Sequence, residues 1–144
     1  MIVDTHPCEA GIAFGAPVVL GTTGAVKAWE AASTAAKFVG VAVREVKSAF
    51  DYMNQNVGSY RTGDAVPVLK RGCVNVICQN GTPVAGGKVY VRTVKNESYP
   101  NAAVGGFEAA EDTGKNVELT NAQWKGSADA NGVAEMRILT ILNA

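Results

Sequence analysis

The sequence predicts an all-β fold: one small antiparallel β-barrel or β-sandwich with a short helical turn and long surface loops. Apolar residues recur at every second position in several stretches, which is typical of half-buried strands. Glycine, often beside Asn or Asp, separates those stretches, as expected where strands are joined by turns. The 144 residues suffice for a single hydrophobic core, supplied mainly by Ala and Val rather than by aromatic residues.

Five stretches show the alternation of a strand. In the fourth of them, Val89 and Val91 are predicted to face inward, with Tyr90 and Arg92 outward. In the third, Val74 and Val76 share a face with Cys78. The five stretches are 39–43, 65–70, 74–78, 88–94 and 136–142.

Five pairs of residues between the apolar runs predict turns, because glycine tolerates a positive φ. The segment 129–132 predicts a hairpin between strands at 123–128 and 133–142. The pairs are Gly63 with Asp64, Arg71 with Gly72, Asn80 with Gly81, Gly86 with Gly87, and Asn131 with Gly132.

Three further features qualify this pattern. Pro67 cannot donate to a β-ladder, so its strand is predicted to lie at a sheet edge or to carry a bulge. The Ala-rich stretch 28–37 predicts one or two helical turns. The segments 48–59 and 95–106 are predicted to be long loops, and long loops in a compact β domain are often contact surfaces.

Charge and hydropathy exclude several classes of protein. Lys plus Arg number 13 and Asp plus Glu number 13, so the basic excess typical of a nucleic-acid-binding protein is missing. No apolar run approaches the roughly 20 residues that span a bilayer. Residues 1–6 lack the features of a secretory signal, and three cysteines are an odd number. We therefore expect synthesis in the cytoplasm and no nucleic-acid or membrane partner.

The sequence predicts no catalytic, cofactor-binding or metal site. His6 with Cys8, and Cys73 with Cys78, do not have the repeated Cys-x-x-Cys spacing of a structural zinc site. Because Cys73 and Cys78 are an odd number of positions apart, they should point to opposite faces of a strand. A nucleophilic triad would need His6, the sole histidine, as its base.

Two other clusters have ordinary structural interpretations. Glu108, Glu111 and Asp112 could act as paired carboxylates, but neighbouring glycines favour a solvated loop. The segment 21–24 (GTTG) lacks the lysine and helix start of a phosphate-binding loop. The dispersed aromatic residues are interpreted as core, rim or subunit contacts: Trp29, Tyr52, Tyr60, Tyr90 and Trp124. We expect a protein that is not an enzyme.

Six segments, in this order and spacing, carry a resemblance to a known family. Together they resemble the cement (decoration) proteins that tailed bacteriophages place on the outside of their heads, over residues from about 11 to 139. The segments are 11–21 (GIAFGAPVVLG), 35–43 (AAKFVGVAV), 60–76 (YRTGDAVPVLKRGCVNV), 84–91 (VAGGKVYV), 105–107 (GGF) and 121–124 (NAQW).

The resemblance implies a structural protein of the virion. It would bind the major capsid protein on the outer surface of the expanded head, as homotrimers at local threefold positions, and stabilise the shell. It also implies two parts: an N-terminal arm segment at 1–10, similar to the end of a longer arm in related proteins, and a single β-rich decoration domain at 11–144.

Two alternatives remain open at this point. The first is another virion component, in the tail, neck or fibre base, which would be present in about a dozen copies rather than hundreds. The second is a protein outside the virion, either a non-catalytic binding module or an enzyme of unrecognised type.

Overall fold

The computed structural model describes residues 1–22, 24–44 and 59–140, and their fold is all-β, as predicted. A curled antiparallel sheet forms a half-barrel. The strands are β1 (Ile2–Pro7), β2 (Ile12–Ala13), β3 (Pro17–Leu20), β4 (Val26–Ala28), β5 (Phe38–Ala42), β6 (Ser59–Tyr60), β7 (Ala65–Ile77), β8 (Lys88–Arg92), β9 (Phe107–Glu108), β10 (Asn116–Trp124) and β11 (Val133–Ile138).

Within the described residues, the main sheet has nine strands. Eight of them follow the order β4-β3-β5-β7-β11-β10-β8-β9, and β1 pairs with β7 outside that path. The strands β2 and β6 form a separate two-stranded sheet. The pairing of β1 runs along almost its whole length, from Pro7 opposite Ala65 to Ile2 opposite Arg71. The division into an arm at 1–10 and a domain at 11–144 stays a prediction.

The 13-residue strand β7 joins the two parts of the main sheet, because it lies between β5 and β11 in the strand order. It was predicted as two strands separated by a turn at Arg71 and Gly72, and that turn is wrong. The backbone continues through Gly72 at a φ of 131°, a conformation that costs glycine little. β1 pairs with residues up to Arg71, and β11 takes over at Gly72, which lies opposite Ile138.

Pro67 does not mark a sheet edge, but its strand carries an irregularity, the alternative that the prediction named: the β1–β7 register shifts between Ile2, opposite Arg71, and Val3, opposite Leu69. Pro67 itself lies opposite Thr5 of β1 in a register without a shift at that point. Its carbonyl accepts a hydrogen bond from the Val43 N–H (3.0 Å), just beyond the last β5–β7 pair, Ala42 with Val68. The N–H and C=O of one residue in an antiparallel strand point to the same side. The N–H that Pro67 lacks would therefore face the end of β5, where the β5–β7 hydrogen bonds stop.

In the part of the chain that the structure describes, two clusters of buried side chains form the core. The larger one includes Trp29, Phe38, Trp124 and Met136, and the smaller one includes Val66 and Val68 near the start of β7. Val76, near the end of β7, belongs to the larger cluster. Both clusters therefore draw on the same strand.

The predicted alternation of burial is confirmed in β11 and in the second half of β7, whereas in the first half residues 66–69 are all buried, so both faces of the strand are covered there. Val74, Val76 and Cys78 face the larger cluster, while Asn75 and Ile77 are exposed. Met136 and Ile138 are buried, whereas the alternating residues Glu135 and Arg137 are less buried. Leu142, predicted to share their face, lies outside the described residues.

The turns follow the sequence more closely than the predicted helix does. The hairpin at 129–132 is confirmed, because Trp124 pairs with Met136 on its two arms. The Asp129 carboxylate accepts hydrogen bonds from the N–H groups of Asn131 (2.8 Å) and Val133 (3.0 Å). Positive φ values are also found at Gly63, Gly81, Gly86 and Gly132.

The stretch 28–37 is mostly not helical. Ala28 ends β4, Trp29 is buried in the larger cluster, and only Ala35–Lys37 forms a single 3₁₀ turn. Ten residues are too few for an alanine-rich helix to form without support from packing. The buried Trp29 instead fixes an irregular backbone at this point.

Candidate contact surface

Arg92, the last residue of β8, lies on the face predicted to be in solvent, yet its side chain is fully buried. The outward prediction for Arg92 is wrong because the chain following β8 folds back over that face. The N–H groups of Thr93 and Val94 donate to the Lys115 carbonyl (2.9 and 3.0 Å), which extends the β8–β10 pairing. The chain between these residues supplies Tyr99, Glu108 and Asp112 to Arg92. Tyr90, also predicted outward, is buried as well.

Two carboxylates neutralise the buried guanidinium. Glu108 accepts from Nε of Arg92 at 2.5 Å and from Nη2 at 2.7 Å, a bidentate arrangement. Asp112 accepts from Nη1 at 2.9 Å. Glu108 is fully buried and Asp112 is largely covered, so the interpretation of this cluster as a solvated loop is wrong for both residues. It is right only for Glu111, which is exposed.

Amide side chains complete the hydrogen bonding of both carboxylates. Asn116 and Gln79 donate to Glu108, at 3.1 and 3.0 Å, and Asn96 donates to Asp112 at 2.9 Å. The hydrogen bond from Asn96, followed by that from Arg92, lowers the pKa of Asp112 below its usual value of 3.8. The hydrogen bond to Glu108 raises the pKa of Arg92 despite its burial. Arg92 and Asp112 are therefore both charged at neutral pH.

The loop 93–106, predicted as a long loop over 95–106, is arranged around Arg92. The guanidinium donates to the Val94 carbonyl (3.2 Å) near the start of the loop and lies 5.8 Å from the centre of the Tyr99 ring in its middle. At its end, the Gly105 N–H donates to the Arg92 carbonyl (2.9 Å), and the Arg92 N–H donates to the Gly106 carbonyl (3.1 Å). One residue thus contacts the loop at its beginning, middle and end.

Gln79 holds the far side of the loop. Its amide nitrogen donates to the Ala103 carbonyl (2.7 Å), and its amide oxygen accepts from the Ala103 N–H (3.1 Å). A Cβ atom on Gly106 would overlap that amide, so the close approach requires glycine there. Ala102, within the loop, is itself buried. These contacts fix the backbone of the loop in one arrangement.

The outer side of this loop presents apolar side chains to solvent. Val94 is 47% exposed, Tyr99 44% and Val104 40%. Within residues 1–22, 24–44 and 59–140, Tyr99 is the only exposed aromatic side chain. An exposed apolar group on a fixed backbone is the type of feature that interfaces use.

A groove of about 270 Å³ lies beside the end of the loop. Gly105 and Gly106 form one wall, and Phe14, Ile77 and Phe107 contribute to the others. Ile77 stands 63% exposed at this groove. Phe14 is held by an edge-to-face contact with Tyr60, with ring centres 5.0 Å apart.

The residues considered for metal or nucleophilic chemistry do not come together. Cys8 is buried and donates to the Arg61 carbonyl, whereas Cys73 and Cys78 stand at separate points along and just after β7, and all three are free thiols. His6 lies in β1 opposite Val66. In the part of the chain that the structure describes, no group of three or more His, Cys, Asp or Glu side chains could hold a metal ion.

Of the five aromatic residues interpreted as core, rim or subunit contacts, Trp29, Tyr60 and Trp124 lie in the core, and Tyr90 is buried as well, although the strand pattern placed it outward. Tyr52 lies outside the described residues. Over those residues, no helix has the length and apolar character needed to cross a membrane.

The fold and the sequence both have known relatives. A family of phage proteins described as "Structural cement protein (E217 gp24/Pam3 gp6)" matches residues 2–139. The chain belongs to this family. The resemblance to phage cement proteins is therefore confirmed over nearly the whole chain.

A solved structure shares the fold of this cement protein family member. A chain in "The capsid of Myoviridae Phage XM1" superimposes with a TM-score of 0.69, at 17% sequence identity, over 98% of this chain and 84% of that chain. A search of curated proteins found no match. This likeness shows the shared fold, and the family supports a structural role in a phage capsid.

Proposed function

We propose that this protein is a capsid cement protein that binds the major capsid protein on the outer surface of the expanded phage head and stabilises the shell. It acts as a structural component rather than an enzyme, and it binds as homotrimers at local threefold positions. The observation that carries the proposal is the family match over residues 2–139.

The physical argument for such a role rests on multivalency. A protein that touches several capsid subunits at once gains avidity from contacts that are individually modest. If it binds only the expanded shell, it stabilises that state by mass action, since ligand binding favours the conformation that binds. A net charge of zero causes little repulsion between copies that lie close together on a shell.

Trimer formation is proposed with its own test. The segment 48–59, with Tyr52 and Met53, is proposed to be buried between copies; apart from Ser59, these residues lie outside the described part of the chain. Light scattering coupled to size exclusion gives the mass of the free protein. A monomeric mass at micromolar concentration would count against trimers that form before capsid binding.

Co-sedimentation tests the proposed function directly. Purified protein is mixed with expanded heads and with unexpanded proheads, both lacking it, and the bound amount is measured against the major capsid protein. We expect saturable binding to expanded heads only, at a fixed ratio that corresponds to hundreds of copies. Binding to neither particle would contradict the proposal, and about a dozen copies per virion would indicate a tail, neck or fibre-base component.

A further inference from the structure

We infer that the loop 93–106 is the surface with which the protein binds the major capsid protein, and that Tyr99 is the central residue of this contact. The inference rests on the proposed function and adds to it the place and chemistry of binding. It is argued from the exposure of the loop, the rigidity of its backbone, its charge and its size.

The first step concerns the side chains that the loop presents. Tyr99 offers a large apolar ring and a hydroxyl group, the combination that makes tyrosine frequent among residues that dominate binding energy. Val94 and Val104, toward the two ends of the same loop, are also exposed. The loop therefore offers an apolar contact with one polar group at its centre.

The second step concerns order before binding. Arg92 contacts the loop near Val94, at the Tyr99 ring and at Gly105, while Gln79 holds Ala103 by two hydrogen bonds. A loop already fixed in its bound shape loses little conformational entropy when it binds. The buried pair of Arg92 and Glu108 costs free energy because both charges lose their water. What the pair provides is a loop of fixed shape.

The third step concerns the partner. The loop carries Lys95 and Glu97, both exposed, so it has no excess charge of either sign. This suits an uncharged patch on a protein and does not suit phosphate. The surface that three partly covered side chains can bury is far smaller than the roughly 800 Å² per partner that a stable two-protein interface buries. Such a patch suits a capsid lattice contacted at several points at once, rather than a second copy of this chain.

Binding of variants to expanded heads that lack the protein tests the inference. Tyr99→Ser removes a ring that is 44% exposed and also lies 5.8 Å from the Arg92 guanidinium, so amide hydrogen exchange of the loop is measured beside binding, and exchange as slow as in the unaltered protein shows that the loop stays ordered. Val84→Ser is the matched control, because Val84 is 57% exposed but lies outside the loop. We expect Tyr99→Ser to raise the half-saturation concentration by at least about tenfold, and Val84→Ser to change it by less than about twofold.

A second variant tests the part played by loop order. Asn96→Ala removes the hydrogen bond to Asp112 and leaves Tyr99 in place. We expect weaker binding at an unchanged saturating ratio, together with faster amide hydrogen exchange in the loop. Unchanged exchange and unchanged binding would overturn the argument from rigidity.

The outcomes separate the inference from the function on which it rests. If the unaltered protein fails to bind expanded heads, the proposed function fails. If it binds and Tyr99→Ser binds equally well, the function stands and the loop is not the binding surface. If Tyr99→Ser changes the mass of the free protein, the loop is a contact between copies, which also overturns the inference.

Discussion

Arg92 and Glu108 form a fully buried ion pair, joined by two hydrogen bonds of 2.5 and 2.7 Å at the base of the loop 93–106. The pair links the end of β8 to β9, although the two residues are 16 positions apart. A buried pair of this kind adds little net stability, but the loss of Glu108 leaves the buried guanidinium with only the single hydrogen bond to Asp112 as carboxylate compensation. This region is therefore stable only when both partners of the ion pair are present.

Glu108→Gln should be strongly destabilising. The substitution keeps the size of the side chain but leaves the buried Arg92 charge without its bidentate partner, at a cost of about 3 kcal/mol in the free energy of unfolding. Urea denaturation at pH 7 measures the effect. Glu111→Gln is the control, since Glu111 is exposed and should change stability by less than about 0.5 kcal/mol. Equal midpoints for the two variants would show that the pair does not support the fold.

Asp112 should make the protein sensitive to acid. Its pKa is lower in the folded state than its usual value of 3.8, because Asn96 and Arg92 bind its charged form. The contribution of ionised Asp112 to the free energy of unfolding is therefore complete above about pH 4, and it is lost as the pH falls through the pKa of the folded state. Asp112→Asn should flatten this part of the dependence of unfolding free energy on pH. Parallel curves for the variant and the unaltered protein between pH 5 and 2 would contradict this assignment.

His6 should weaken the folded state at mildly acidic pH. Burial, followed by repulsion from Lys70, lowers the pKa of His6 below 6.5, against an opposing effect of Asp4. Its Nε2 is buried without a hydrogen-bond partner among the described residues. As the pH falls below 6.5, the unfolded chain takes up the proton first, so stability decreases with falling pH down to the folded pKa.

His6→Phe, which cannot titrate, provides the comparison. The difference in unfolding free energy between pH 7.5 and pH 5.5 should be smaller in this variant than in the unaltered protein. Hydrogen exchange of the β1 amides should accelerate at pH 5.5, relative to the intrinsic rate, in the unaltered protein alone. The same pH difference in both proteins would rule out His6 as its source.

Gly40→Ala should disturb the pairing of β5 with β7. A Cβ atom at this position would overlap the Leu69 carbonyl and press on the Val68 side chain, neither of which can move freely inside the sheet. We expect a loss of more than about 1 kcal/mol in unfolding free energy, measured by urea denaturation. Gly126→Ala is the matched control, because a Cβ there meets nothing within 4 Å. A loss of the same size in both variants would show that close packing at Gly40 is not the cause.

The strands were predictable because a period of two directly reports one buried and one open face. In β7, buried Val76 alternates with exposed Asn75 and Ile77, as the sequence predicts. The continuation through Gly72 was not predictable in this way. A glycine between two apolar runs has the same appearance whether the backbone turns or continues at a positive φ, and only pairing with distant strands decides which occurs.

The scaffold of the candidate site was missed for a related reason. Alternation places Arg92 on the correct face of β8, but burial of that face depends on the chain from Thr93 to Lys115 folding back over it. The available signal was a charged residue at the end of a strand, followed by a long loop and then by two carboxylates, Glu108 and Asp112. The contact between these opposite charges depends on tertiary structure, because a loop brings distant residues together. The local sequence pattern does not predict such a contact.

The continuity of β7 determines how the molecule responds to a mechanical load. Val66 and Val68 anchor this strand in one core cluster and Val76 anchors it in the other, with no break in the backbone between them. A pull applied to one cluster and resisted at the other is therefore carried along covalent bonds rather than across a row of hydrogen bonds. To part the clusters, the neighbouring strands must slide lengthwise along β7, which breaks several hydrogen bonds at the same moment instead of one after another.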